Sequence, residues 1–363
     1  MDLRWQRWWR HARAAAALAS LALLAGCGNL GYYWQSASGH IHLMAAARPL
    51  PDWLQDPATP PRLKERLALA RRIRAYASRR LGLPDNASYT RYADLHRSAA
   101  VWNVVAAPRY SLTLKPYCFP VTGCVGYRGF FDEAQARAQA AELTREGYEA
   151  SVYPVPAYST LGWMNWAGGD PLLNTFILYP EGELARLVFH ELAHQVVYAR
   201  DDTMFNESFA TAVERLGGAL WLKEEGGAQA REAYAQYDGR RQQFRALTAA
   251  TRARLQAVYE QAPADQREAQ KQQVLRDFRG QWQQLRASWP GDPARYQAYD
   301  RWVAEANNAA FGAQAAYDEL VPGFEALFHL NGDDWGRFYD AVKALAALPR
   351  ALRHQRLKEM ARA

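Results

Sequence analysis

The chain has 363 residues, of which 49% are hydrophobic and 22% charged, with a formal net charge of +7. Such a length supports a sizeable core or two closely packed subdomains, and the mildly basic balance is no nucleic-acid footprint. Without its first 26 residues, which hold four arginines and Asp2, the chain carries only +4.

Arg4, Arg7, Arg10 and Arg13 precede the apolar run from Ala14 to Leu24. That run is too short to span a bilayer as a helix, so it reads as a signal segment. It ends in Leu24-Ala25-Gly26-Cys27, similar to a bacterial lipobox, which implies cleavage before Cys27 and acylation of that residue. Gly28 follows with no aspartate to signal inner-membrane retention. The expected product is a lipoprotein of the outer membrane of a Gram-negative bacterium, anchored by acyl chains and facing the periplasm.

After the aromatics Tyr32, Tyr33 and Trp34 comes a helix interrupted by Pro49 and Pro51. A second helix is predicted from Pro61 to Arg80, stopped by Gly82 and Pro84. Its Arg62, Lys64, Arg66, Arg71, Arg72 and Arg79 form a solvated face by default; contact with anionic lipid headgroups is the alternative. β-branched and aromatic residues from Ala100 to Tyr127 suggest a hairpin. Within it, Cys118 and Cys124 bracket a turn-like loop, and two thiols in an oxidising compartment are expected to pair. A C-x5-C spacing lacks the second pair that a structural zinc would need. Asp132 to Glu146 is predicted as helix, Tyr148 to Tyr153 as strand, and Asn174 to Tyr179 as a strand leading through Pro180 into the next helix.

That helix contains His190-Glu191-Leu192-Ala193-His194. Histidines at i and i+4 share one helix face and can reach one metal ion, and Glu191 stands where a base for the attacking water belongs. Arg200-Asp201-Asp202-Thr203 reads as a turn that returns a second helix antiparallel and presents Glu207 as a third ligand. Glu214, two turns further along the same face, could accept from the far ring nitrogen of a ligating histidine. The rest reads as helices broken at Gly226-Gly227, Pro263, Pro290 to Pro293 and Asn331-Gly332. Those between Gln229 and Arg286 are expected to pair as one wall of a cleft.

His190 to His194 followed by Asn206-Glu207-Ser208-Phe209-Ala210 resembles the gluzincin metallopeptidases of the aminopeptidase N branch, and more closely a family of aminopeptidase lipoproteins from Gram-negative bacteria. Most of the mature chain shares in the likeness. It implies one Zn2+ per chain and a zincin-like fold, α+β and mainly α, with a small sheet beside the H-E-x-x-H helix. The implied layout is a signal segment 1–26, an N-terminal α/β region 27–180 and a helical region 181–363 carrying the zinc site. Gly162, Met164 and Asn165 stand where the branch has a substrate-lining strand, yet the glutamate that grips the substrate's free amine there is missing, and Asp170 is the nearest acid. The link between His194 and Glu207 is also shorter than in that branch. For the electrophile that steadies the oxyanion, Tyr198, Tyr296, Tyr299, Tyr317 and His329 are available. Tyr317 is preferred because it follows the polar pair Asn307-Asn308 in an apolar stretch. The resulting expectation is a zinc aminopeptidase acting on peptides in the cell envelope. An endopeptidase processing envelope proteins, or a non-catalytic lipoprotein stabilised by zinc, are the alternatives.

Overall fold

A computed structural model describes residues 31–119, 123–162, 164–315 and 319–362. Cys27 and the whole leader, and also Tyr317, lie outside the described residues. The chain divides into two units, residues 1–46 and 47–363. Over its described part the first unit is one helix, α1 (residues 31–46). No described helix is long and apolar enough to cross a membrane.

The second unit is α+β and mainly helical. Pro49 closes the two-residue strand β1 (Arg48–Pro49), and α2 (Leu50–Gln55) starts beside Pro51, where a missing N–H costs nothing. α3 (Pro61–Leu81) buries Leu67, Ala70, Ile73, Ala77 and Leu81 on one stripe and ends at Gly82, whose φ of 63° is the left-handed cap that glycine favours. Arg66 leaves the predicted solvated face, donating from Nε to the Ile177 carbonyl at 2.8 Å. β2 (Arg91–Ala93) pairs antiparallel with β1 and parallel with β8 (Leu172–Leu173).

In place of one hairpin between Ala100 and Tyr127 stand two structures. β3 (Val101–Pro108) is the centre of an antiparallel sheet, between β6 (Arg128–Phe130) and β7 (Tyr148–Val155), with Val101 opposite Val155 and Pro108 opposite Tyr148. Burial of nearly every β3 residue explains why it is apolar apart from Asn103. β4 (Tyr117–Phe119) and β5 (Gly123–Val125) form a separate hairpin closed by the Cys118–Cys124 disulfide. Helix α4 (Glu133–Arg145), capped by Asp132, packs against β3 and β7. The predicted strand at Asn174 to Tyr179 does not form. Pairing stops at Leu173, and those residues make turns, with Ile177 N–H donating to the Leu173 carbonyl at 3.0 Å.

The helices follow: α5 (Glu181–Ala193), α6 (Thr203–Glu224), α7 (Ala228–Gln261), α8 (Arg267–Ser288), α9 (Gln297–Glu305), α10 (Asn308–Ala315), α11 (Val321–Leu330), α12 (Trp335–Ala346) and α13 (Arg350–Met360). α5 packs chiefly on α6, with α3 and α7 alongside, so its main neighbours are helices and not a sheet. Gly217 and Gly218 permit the close approach of α6. A Cβ at Gly217 would come within 2.7 Å of Leu81, and one at Gly218 within 2.6 Å of Arg186. α7 and α8 pair around Phe244, Leu255, Phe278 and Trp282, with Trp289, Tyr296 and Phe311 completing an aromatic cluster.

Candidate metal centre

α5 has no exposed residue. Leu184, Ala185, Val188, Phe189, Leu192 and Ala193 are buried, and so are Glu183 and Arg186, while His190 is half-buried in the last turn and His194 caps the end. Residues 194–202 then turn the chain back. Asn206 holds this turn with both arms of its amide, its Oδ1 accepting from Ala199 N–H at 2.7 Å and its Nδ2 donating to Ala199 O at 2.8 Å. Asp202 caps α6 by accepting from Phe205 N–H and is itself held by Arg353 at 3.1 Å and His354 at 2.8 Å from α13. The pairs His190 with Glu214, Arg186 with Glu214, and Glu181 with Trp221 show that α5 and α6 run antiparallel.

This arrangement brings three donors to one point. His190 Nε2 lies 3.2 Å from His194 Nε2 and 3.3 Å from Glu207 Oε2, and His194 Nε2 lies 3.6 Å from the same oxygen. Ligands about 2.1 Å from a tetrahedral zinc stand roughly 3.4 Å apart, so the donor set and its spacing fit that ion. Among the described residues these three are the group of histidines and acids able to hold a metal. His190 Nδ1 is 3.0 Å from Glu214 Oε2, which keeps a proton on that nitrogen and leaves the Nε2 lone pair for a ligand. His194 Nδ1 is buried with no hydrogen-bond partner among the described residues.

Charge around the centre is arranged on two levels. Burial by itself raises the carboxyls of Glu207 and Glu214, but both are held down at about 2: Glu207 by His194 and His190, Glu214 by Arg186 and His190. Burial lowers His190, yet its bonds to Glu207 and Glu214 carry it well above the usual imidazole range. For Glu191, burial raises the carboxyl and the two histidines only partly offset this. Behind Glu214 lies Arg186, 2% exposed and one turn before His190 on α5. It donates to Glu214, to Tyr234 Oη at 2.6 Å and to Asp238 at 3.2 Å, so α7 is joined to the ligand helix.

The segment with Gly162, Met164 and Asn165 is a short 3-10 turn (Asn165–Ala167), not the expected strand, and it does reach the metal helix. Gln195, next to His194, accepts from Asn86 at 2.7 Å and from Asn165 at 3.3 Å and donates to Ser88 Oγ at 3.1 Å. Asp170 is fully buried and committed: both carboxylate oxygens accept from Thr160 N–H at 3.0 Å, and Thr160 Oγ1 donates to one at 2.8 Å. The nearest acid therefore holds a loop. Of the other oxyanion candidates, Tyr296 donates to the Pro290 carbonyl, Tyr299 stacks in the α7–α8 aromatic cluster, and His329 is exposed and paired with Asp333.

Sequence reasoning missed three residues here. Tyr127, after the disulfide hairpin, has its hydroxyl raised by burial first and then by Glu207, Tyr153, Tyr198 and Glu191, so it lies within electrostatic reach of Glu207 and Glu191. Tyr89 is wholly buried, and its hydroxyl feels Glu191 and Asp170. No local pattern marks either tyrosine. Arg186 did leave a signal, a charge on the apolar face of α5. The disulfide hairpin also has a place at the centre, since Cys124 N–H donates to Asp201 Oδ1 at 2.6 Å in the turn between α5 and α6.

Residues 31–357 match the family model described as "Putative aminopeptidase", and the chain belongs to that family. No curated protein and no solved structure matches it.

Proposed function

We propose that the protein is a zinc-dependent peptidase of the gluzincin type, an aminopeptidase acting on peptides in the cell envelope, where acyl chains on Cys27 anchor it to the outer membrane. The observation that carries the chemistry is the convergence of His190, His194 and Glu207 at 3.2 to 3.6 Å, with Glu214 behind His190. These three residues would hold the ion, which when bound polarises the scissile carbonyl and acidifies water. Glu191 takes a proton from the attacking water and delivers it to the leaving amine, a shuttle suited to a carboxyl raised by burial. Tyr127 and Tyr198, whose hydroxyls both feel Glu207, are the candidates to steady the oxyanion.

A second reading, an endopeptidase, is favoured by one feature. The only acid of the Gly162 segment, Asp170, is buried in hydrogen bonds to Thr160 and is not free to hold a substrate's amine. One experiment addresses both readings: purified protein is assayed for zinc and for cleavage of matched free and N-acetylated peptides, beside Glu191→Gln. One equivalent of zinc in both proteins and a loss of roughly 10²–10⁴-fold in hydrolysis for the variant are expected. Wild-type turnover by Glu191→Gln overturns the mechanism, and internal cleavage of blocked peptides replaces the aminopeptidase by the endopeptidase.

A further inference from the structure

Helix α1 presents an apolar stripe to solvent. Trp34 is 75% exposed and Ile41 63%, and being seven positions apart they stand two turns from each other on one line. Ala37 and Ala45 continue that line, both exposed, and Tyr33, 45% exposed, flanks it. Leu43 lies nine residues after Trp34, half a turn away in projection, and is buried at 1%. Along this helix, then, the buried and the exposed apolar side chains fall on opposite faces. From Cys27 to Ala47 the sequence holds no Asp, Glu, Lys or Arg. In a chain with 22% charged residues, that is the composition of a segment whose surroundings are not simply water.

Its position in the chain says what those surroundings are. Tyr33 is six positions after Cys27, so when Cys27 is acylated the stripe begins within about 20 Å of the anchor. Tryptophan and tyrosine are the side chains that settle at the bilayer interface, where the ring is sheltered and the N–H or O–H stays hydrated. We propose that the exposed face of α1, made by Tyr33, Trp34 and Ile41, docks into the headgroup region of the bilayer, giving the protein a second membrane contact besides its acyl chains. This rests on the lipoprotein reading. Acyl chains insert at one point of the chain; a helix lying in the interface adds buried apolar area of its own to that anchorage.

The test uses the full lipoprotein in vesicles of phosphatidylethanolamine and phosphatidylglycerol. Ile41→Cys and, separately, Ala37→Cys are labelled with a polarity-sensitive fluorophore, and Ala344→Cys, exposed on α12, is the control. With Cys118 and Cys124 paired and Cys27 acylated, the new cysteine is the reactive thiol. Labels at 41 and 37 should shift to the blue and be quenched roughly twofold by lipids bearing a nitroxide near the headgroup, while the label at 344 is unaffected. Solvent-like emission at both α1 positions in vesicles overturns the proposal. So does a blue shift that needs no lipid and grows with protein concentration, which would make the stripe an interface between copies. Intact mass reports acylation independently: an unacylated chain ends the lipoprotein reading, and the labelled chain mixed with the same vesicles still decides whether α1 docks.

Discussion

Around Lys271 a set of buried polar groups closes on itself, whereas around His190 the ring nitrogens and carboxylates converge on one point. Lys271, 2% exposed, joins Glu149 and donates to Arg109 O at 2.8 Å. Asn308 donates to the carbonyls of Pro108 and Arg109 and accepts from Tyr259 Oη at 2.6 Å, and its N–H donates to Glu149 Oε2 at 2.8 Å. Donors meet acceptors throughout, and the result pins α8 and α10 to the β3–β7 sheet. In the α5–α6 pair, by contrast, two imidazole nitrogens and a carboxylate oxygen stand 3.2 to 3.6 Å from one another, the spacing of ligands around a single ion. Burial of polar side chains alone does not mark a candidate metal site; convergence of possible ligands on one point does.

The sharpest way to break this contrast is at Glu214. Glu214→Gln should weaken zinc binding about 10–100-fold in a competition with a chromophoric chelator, because His190 loses the carboxylate that fixes its tautomer. Unchanged affinity would reduce Glu214 to one more member of the Arg186 ion cluster. The closed set should respond differently. Lys271→Met removes the cation that faces Glu149 and one donor to the Arg109 carbonyl and should lower stability by about 2 kcal/mol in urea denaturation, with zinc content unaltered. Loss of zinc in that variant would show the two regions to be coupled.

A smaller effect concerns pH. Glu207 and Glu214 titrate at about 2 in the fold against an ordinary 4.5. Between those values the unfolded chain binds more protons than the folded one, so stability rises with pH through this window and is lost as pH falls through it. Denaturation midpoints measured from pH 5 down to about 2 should decline steeply, and less so in Glu214→Gln. Equal slopes in the two proteins would mean that Glu214 is not held down by His190 and Arg186.

How far the residues could be read in advance differs from place to place. The helices from α5 onward, with their breaks at Gly226-Gly227, Pro263 and Asn331-Gly332, follow from local periodicity and breakers, and α4 and β7 lie close to where the pattern puts them. Asn174 to Tyr179 misled because a short apolar run is equally at home in buried turns once its strand partner ends at Leu173. Asn307 and Asn308 misled differently. They are polar because their amides donate to backbone carbonyls, Asn307 to Ala150 of β7 and Asn308 to Pro108 and Arg109, and that duty says nothing about a tyrosine further on.

By itself the sequence determined the spacing of His190, Glu191 and His194 on a helix, the acids Glu207 and Glu214 one helix later, and the likeness to a peptidase family, since all of these are fixed by local order along the chain. Only the tertiary structure decided that Asp170 is spent on Thr160, that Arg186 stands behind Glu214, that Tyr127 and Tyr89 come near Glu191, and that the disulfide hairpin braces the turn at Asp201. Each of those depends on segments far apart in sequence whose contact is set by the packing of α3, α5, α6 and the β3 sheet. No local pattern of residues encodes such a meeting; it exists only once burial has chosen which faces touch.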